Sequence, residues 1–483
     1  MKGLILFRDI NFGYASAERE SVKFPRLLTD GFLDSFHIRE HILQGDKFII
    51  LGYKGTGKSA IGEHFRLLSE NDPFLFVKLL YLGDFPYVKF KRVIKGSGDS
   101  TRFSTGWAWL LLLLLLELLA ADNKTAQMEF VRNAVAILKH TGLWPLPNIR
   151  QLVNVSARNR FVLRVPDEIQ ERVFVYMNDA KTMRISEFVE YLQDKLRTLT
   201  KVRARYLVGI DGMDDVLLKQ NIQYEVLGAL LFQVNRLNIF LQRENLPIKF
   251  LFFCRTELYE RLPVPNKNKI RQDSALVIDW YRDVREPRHS NLVQVANLRA
   301  RLSDPLITDV FEEYFPLQIK ESRYSEKNTL RFLLDLTRHH PRDFLQLLIH
   351  IQPFSGSGKL TQKQIQSGIR DYSIQYFLPE IRDELSGYVD IEDIESMIKL
   401  LGALRKRDFR YAELESMAKN KSIRSDLPVI LEVMFDAGAI GNVRKLKSGA
   451  RILTFRFRNR NSTLNLSEPL ILHKGLWKAL NLV

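Results

Sequence analysis

A single cysteine, Cys254, in 483 residues excludes a disulfide framework and suits a reducing, cytoplasmic compartment. The N-terminus, Met1-Lys2-Gly3-Leu4-Ile5-Leu6-Phe7-Arg8, lacks both the apolar length and the small-residue cleavage site of a secretory signal. Long hydrophobic runs are scarce as well. The longest, Trp107 to Leu119, is broken by Glu117 and falls short of the roughly 20 residues that span a bilayer. It is expected to be a buried helix, capped by Ser104 or Thr105, and not a membrane span; a hydrophobic interface is the second reading and membrane attachment the third. His339 and His340 have no cysteine or His-x-x-x-His companion, so they read as packing or capping residues and not as metal ligands. No Asn-Lys-x-Asp string specifies guanine, since Asn266-Lys267-Asn268-Lys269 does not match it. Acids are the minority charge: 72 Lys and Arg against 56 Asp and Glu leave a net charge of +16, a field that attracts polyanions, for which ribosomes, nucleic acid and anionic lipid all qualify.

What the chain does contain is a complete phosphate-cradling pattern. The apolar run Phe48-Ile49-Ile50-Leu51 leads into Gly52-Tyr53-Lys54-Gly55-Thr56-Gly57-Lys58-Ser59-Ala60, and the following residues place Ile61, His64, Phe65 and Leu68 at helical spacing. Gly52, four free positions and Gly57-Lys58-Ser59 fit the P-loop, whose backbone N–H groups wrap phosphates at a helix N-terminus. The glycines allow close backbone approach, Lys58 brings a point charge to the β- and γ-phosphates, and the Ser59 hydroxyl is placed to ligate Mg²⁺. The string Ser355-Gly356-Ser357-Gly358-Lys359 looks similar but lacks a preceding strand and the first glycine, and reads as a linker.

Further along, Phe74 to Leu79 reads as a strand, Gly106 to Leu143 as a long helical stretch and Ile185 to Leu199 as another helix. Arg205 to Asp211 is an apolar strand ending in an acid, which would order the Mg²⁺ water shell at the carboxyl edge of a sheet. A helix from Tyr224 to Asn245 leads to the strand Ile248 to Cys254, ended by Arg255 and expected beside the Asp211 strand. This alternation, with 46% apolar residues to fill a core, predicts an α/β fold: a mostly parallel sheet with helices on both faces. Asn291 to Ile351 reads as helical throughout, with Pro341 in the first turn of its last helix and Arg342 near that N-terminus. A capping box at Thr361-Gln362-Lys363-Gln364 starts a long helix to about Leu385.

Beyond Asp390 the pattern is three short helices (Ile394–Leu404, Tyr411–Lys419, Leu427–Ala437) and an alternating strand at Ala450–Arg458, the order of a winged helix. Arg444, Lys445, Lys447, Arg451, Arg456, Arg458 and Arg460 occur there with no acid among them, a wing that could lie on a DNA backbone. The domain plan is therefore an N-terminal segment on the nucleotide site (1–46), a P-loop core (47–290), a helical lid (291–354), a linker with a connecting helix (355–389) and the winged helix (390–483).

These residues resemble the nucleotide sites of STAND-type and origin-recognition-complex-like ATPases of the additional-strand P-loop class. The resemblance rests on Gly52 to Ser59, on Ile210-Asp211-Gly212-Met213-Asp214-Asp215, on Arg255 after an apolar strand and on Pro341-Arg342. More narrowly, Asn11-Phe12-Gly13 with Ala17-Glu18, Gly31-Phe32 and Leu464 to Leu482 look similar to bacterial stand-alone P-loop ATPases, some associated with mobile elements and phage defence. The resemblance implies ATP as the nucleotide, Lys58 on the β- and γ-phosphates, Ser59 and Asp211 on Mg²⁺, Arg255 as a first γ-phosphate sensor and Arg342 as a second, from the lid. Gly212 stands where AAA+ enzymes usually place a water-positioning Glu, so Asp215 or Asp214 becomes the candidate for that role; helix N-cap acids are the other reading of both. Arg255 as a strand-end surface residue and Arg342 as an ion-pair partner near Asp343 are likewise alternatives.

The function implied is a slow ATPase switch that couples nucleotide state to the winged helix and to DNA or a protein effector, in phage defence or mobile-element maintenance, with a homo-oligomer as a further option. The alternatives are a non-hydrolysing, ATP-bound interaction module and a replication-initiator-like DNA-binding regulator.

Overall fold

The computed structural model describes residues 4–83, 85–87, 90, 101–158, 162–179, 181–213, 221–281, 286–322, 325–419, 426–446 and 448–482. Its contacts divide the chain into two compact units. One comprises Phe36–Gly52 and Lys58–Ile278; the other comprises Met1–Ser35, Tyr53–Gly57 and Asp279–Val483.

The first unit is built on strands β1 (Ile49–Gly52), β2 (Leu75–Tyr81), β5 (Arg205–Asp211), β6 (Ile248–Arg255) and β7 (Ala275–Val277), while β3 (Val162–Arg164) and β4 (Thr182–Arg184) form a separate antiparallel pair. The five strands lie in the order β2-β5-β6-β1-β7 and every pairing is parallel. As expected, β6 lies beside β5, and it separates β5 from the P-loop strand. Parallel strands covered on both faces read as unbroken apolar runs, and Ile49, Ile50, Leu51, Val208, Ile210, Phe250 and Phe252 are fully buried. Helices cover both faces. A Cβ on Gly62, in the helix Lys58–Ser69, would lie 3.4 Å from Leu79 and 3.6 Å from Phe253, and Gly209 of β5 faces the same two side chains. Tyr206, of opposite parity on β5, donates its hydroxyl to Asp122 Oδ2 at 2.5 Å on the other face.

The leucine run forms the helix Thr101–Ala121, with Leu110 to Leu116 at most 7% exposed. By length and composition Ser104–Ala121 could cross a membrane, yet 78% of it is buried inside the fold. Ser104 and Thr105 lie within the helix and do not cap it; the Ser104 hydroxyl donates to Gln233 Oε1 at 2.5 Å. The helical stretch also stops before Leu143. The Thr125 hydroxyl donates to Leu119 O at 2.6 Å and Asp122 Oδ1 accepts from Lys124 N at 3.0 Å, side-chain bonds that compete with helix continuation. A second helix, Glu129–His140, follows.

In the second unit, Phe7, Ile10 and Phe12 join the core of the helices Asn291–Ser303 and Pro341–Ile351. A buried fork fixes the Asn11-Phe12-Gly13 turn: Arg299 Nη2 donates to Glu20 Oε1 at 2.7 Å, and Arg299 Nη1 to Glu20 Oε2 at 3.0 Å and to Phe12 O at 2.7 Å. Gly13, at φ +93°, passes so close that a Cβ would sit 2.0 Å from Glu20 Oε2.

The region 291–351 is not helical throughout: a hairpin of β8 (Gln318–Ser322) and β9 (Ser325–Asn328) interrupts it. The capping box at Thr361 is present, but the long helix it starts is split into Gln362–Tyr372, a π-helical turn at Ser373–Phe377 and the helix Leu378–Ser386.

The C-terminal helices Ile391–Leu404, Tyr411–Ala418 and Leu427–Asp436 accompany β10 (Asp408–Phe409), β11 (Ile440–Lys445), β12 (Arg451–Thr454) and β13 (Leu470–Leu472). The strands form an antiparallel sheet in the order β10-β13-β11-β12. The expected strand to Arg458 stops at Thr454, where Phe455 and Phe457 turn into a small core with Val443 and Ile471.

Candidate functional site

In the first unit, register brings the sheet-borne residues to one edge. Gly52 is level with Arg255, Ile210 with Phe252, and Tyr81 with Asp211, so the carboxyl ends of β1, β6 and β5 lie side by side, about 4.8 Å apart from strand to strand. Asp211 is 6% exposed and Arg255 half-buried. Lys58 and half-buried Ser59 open the helix Lys58–Ser69; Lys58 is 5% exposed and its Nζ donates to Gly52 O at 3.1 Å.

The departure at Gly212 has a steric cause. Its φ is +77°, and a Cβ would lie 3.0 Å from Leu82 N and 3.3 Å from Gly83 N, the strand end whose Leu82 N–H donates to Asp211 O at 2.8 Å. A glutamate there would need a left-handed backbone and displaced main chain. The candidates for its role, Asp214 and Asp215, lie outside the described residues.

In the second unit, the loop residues Tyr53–Gly57 meet the helix that Pro341 begins. The first amides of a helix lack partners within it, and the Arg342 N–H donates to Gly55 O at 3.4 Å. Gly55 (φ +82°) would place a Cβ 3.4 Å from both Arg342 Cβ and His340 Nδ1. Tyr53 stacks on His340 with centroids 6.3 Å apart, and Trp280 Nε1 donates to Thr56 O at 2.9 Å. Gly57, at φ +93°, would place a Cβ that meets no protein atom within 4 Å.

Lys54 and Arg342 share one acceptor that sequence reading did not single out. Lys54 Nζ lies 2.9 Å, and Arg342 Nη1 3.4 Å, from Glu380 Oε1. Burial pushes the Glu380 carboxyl up, but Lys54, Arg338 and Arg342 together hold it below the usual carboxylate range. Arg338, and not Arg342, is the partner of Asp343: Nε to Oδ2 is 2.9 Å and Nη2 to Oδ1 is 3.0 Å. His339 is a packing residue between Tyr281 and Phe457, and burial pushes its pKa down to about 3, with Arg458 adding to the effect. In the first unit, the helix residue Glu63 accepts from Tyr81 beside Asp211 and from Arg66, another contact invisible in the sequence.

The donor set suits a triphosphate with Mg²⁺. Positive-φ glycines leave room for close backbone approach, and Ser59 and Asp211 carry hard oxygen donors of the kind Mg²⁺ takes. Among the described residues no group of three or more His, Cys, Asp or Glu could hold a metal ion.

The basic stretch is not a uniform wing. Arg451 pairs with Asp408 (2.9 Å), Arg456 with Asp436 (3.5 Å), Arg458 with Asp335 (3.4 Å) and Arg460 with Asp279 (3.2 Å). Arg444 and Lys445 are exposed on the β11–β12 hairpin, and Lys447 lies outside the described residues.

No known protein-family profile matches the chain. It is 19% identical over 507 residues to the "Putative transposon gamma-delta 80.3 kDa protein" of Escherichia coli (strain K12), covering 98% of this chain and 67% of that protein. Among solved structures it is similar to the Aeropyrum pernix ORC2 protein in ADPNP–ADP complexes (TM-score 0.39, 12% identity, 96% of this chain and 91% of that one). It is also similar to the Aeropyrum pernix ORC1 protein in complex with DNA (0.36, 13%, 96% and 96%) and to Cdc6p from Pyrobaculum aerophilum (0.31, 11%, 92% and 92%). The strand order and register, not these scores, carry the fold assignment.

Proposed function

We propose that this chain is an ATP-binding and slowly hydrolysing molecular switch of the AAA+-related, additional-strand type. The observation that carries the reading is the parallel register that pairs Gly52 with Arg255 and brings Asp211, one position past the Ile210–Phe252 pair, to the same carboxyl edge of the sheet. In this reading Gly52 through Ala60 cradle the phosphates, Lys58 neutralises the β- and γ-oxygens, Ser59 and Asp211 hold Mg²⁺, and Arg255 and Arg342 sense the γ-phosphate. Asp215 or Asp214 orients the attacking water. When bound, Mg²⁺ supplies charge neutralisation on the phosphate oxygens; the chain's own part is positioning, which is most of what phosphoryl transfer requires.

The C-terminal helices and hairpin act as a winged helix whose engagement follows nucleotide state, with Arg444 and Lys445 as the cations best placed for a DNA backbone. The transposon-encoded relative supports a mobile-element setting, and the single buried cysteine supports a cytoplasmic one. A homo-oligomer and a protein effector complete the proposal. ATP turnover of wild type and Lys58→Ala, with and without duplex DNA, tests it: turnover abolished in the variant is expected, and an unchanged rate removes the site assignment.

A second reading, an ATP-bound interaction module with a protein-docking winged helix, is favoured by the ion pairs that engage Arg451, Arg456, Arg458 and Arg460. Phosphate contact would have to break them. A DNA affinity insensitive to salt would support this reading over the first.

A further inference from the structure

Glu380 sits at a junction that the proposed nucleotide chemistry does not use. Its Oε1 receives both Lys54 Nζ at 2.9 Å and Arg342 Nη1 at 3.4 Å, and its side chain is only 13% exposed. The two cations arrive from different places, the glycine loop and the start of the helix Pro341–Ile351. Glu380 is held ionised by them and by Arg338.

One turn further along the helix Leu378–Ser386, and so on the same face, Glu384 accepts from Arg338 Nη1 at 2.5 Å. The same Nη1 reaches Ala437 O at 3.4 Å, the residue that ends the helix Leu427–Asp436. This short helix therefore holds the loop with one carboxylate and, through Arg338, the C-terminal helices with the other. A π-helical turn, Ser373–Phe377, immediately precedes it. Such turns are rare and are often found at functional sites.

We propose that Glu380 is an internal competitor of the nucleotide's phosphates: its carboxylate occupies Lys54 and Arg342, phosphate binding displaces it, and the freed helix Leu378–Ser386 carries the change to the C-terminal helices. The inference rests on the reading of the glycine loop as a triphosphate site. Linkage makes the coupling reciprocal. An anion that must leave before phosphate binds weakens nucleotide affinity, and bound nucleotide loosens the anion's helix by the same factor.

The test compares Mg·ATP binding by wild type and Glu380→Gln, which keeps the shape and removes the charge, by equilibrium dialysis. Roughly tenfold tighter binding by the variant is expected, within the range of measured coupling effects. Equal or weaker binding by E380Q, with wild type binding normally, overturns the competitor role and leaves the nucleotide site standing. Failure of wild type to bind ATP removes the nucleotide reading and this inference together. Should E380Q not fold, hydrogen exchange of the wild-type protein decides: saturating Mg·ATP must raise exchange in residues 378–386, and unchanged protection there overturns the proposal.

Discussion

Replacing Arg338 with methionine removes a heavily engaged buried charge of the second unit while keeping a long, flexible apolar side chain. Arg338 is 3% exposed on its side chain and Asp343 1%. The guanidinium forks onto Asp343, reaches Glu384 and Ala437 O, and lies over the Phe377 ring at 5.4 Å. In R338M, Asp343 keeps the Tyr376 hydroxyl at 2.9 Å, the backbone N–H of residue 338 at 3.1 Å and the nearby His340. Breaking a buried pair by removing one member costs about 3–5 kcal/mol. For a unit of roughly 250 residues, in which 1 kcal/mol moves Tm by roughly 2–4 °C, that is a fall of roughly 6–20 °C.

The pH dependence has a defined sign. Burial pushes the Asp343 carboxyl up, but Arg338 overrides it and holds the group far below its ordinary 3.8. A depressed carboxylate contributes stability that is present above the unfolded value and lost as pH falls through the folded one. Without the Arg338 side chain, burial, the largest effect, outweighs the His340 charge and the two hydrogen bonds that remain, so the folded pKa rises above the unfolded one and the contribution is lost as pH climbs. The deficit of R338M relative to wild type should therefore widen from pH 5 to pH 8, and R338M/D343L should recover part of it. Calorimetric melts of the three proteins at both pH values decide. A loss below about 1 kcal/mol, or a deficit that narrows toward pH 8, would refute the reasoning.

Gly57→Ala should cost the fold only about 1 kcal/mol, because its φ of +93° is strained for alanine while the added methyl meets no protein atom; ATP binding should nonetheless fall at least tenfold, and melts paired with dialysis separate the two effects. His339, held at about 3 against an ordinary 6.5, binds fewer protons folded than unfolded. Its contribution is complete above pH 6.5 and decays toward pH 3, about 2 kcal/mol being gone at pH 5; urea unfolding of His339→Asn, a residue suited to its φ of +55°, should show a correspondingly flatter pH slope, and an unchanged slope contradicts the assignment. On the C-terminal hairpin, R444E/K445E should lower the log–log salt slope of duplex DNA binding by about 2, one per lost phosphate contact. R458Q/R460Q should lower Tm and leave that slope alone; equal effects in anisotropy titrations would show that the ion-paired arginines also meet phosphate.

The sheet was legible because its strands are buried on both faces. Ile49–Gly52, Arg205–Asp211 and Ile248–Arg255 each show as an apolar run with a polar or glycine terminus, and that terminus is what the site uses. The hairpin β8–β9 was not, since Ile319 is its fully buried apolar residue amid Gln318, Lys320, Glu326, Lys327 and Asn328. Periodicity has nothing to register in so short and polar a pair. The basic stretch misled for a different reason. Its neutralising acids, Asp279, Asp335, Asp408 and Asp436, sit elsewhere in the chain, so a local count of charge finds none of them. Glu380 was hidden in the same way: in sequence it is one acid on an amphipathic helix, and only folding brings Lys54 and Arg342 to it. Gly212 was visible as a departure, but its cause, the crowding by Leu82 and Gly83, needed the strand pairing.

Equilibrium dialysis of the folded wild-type chain and of Lys58→Ala against labelled ATP in Mg²⁺ is the most direct measurement. Saturable binding of one ATP per chain that disappears in the folded variant is the expected result. No binding by wild type, or equal binding by both proteins, would contradict a triphosphate site at the Gly52–Ser59 loop.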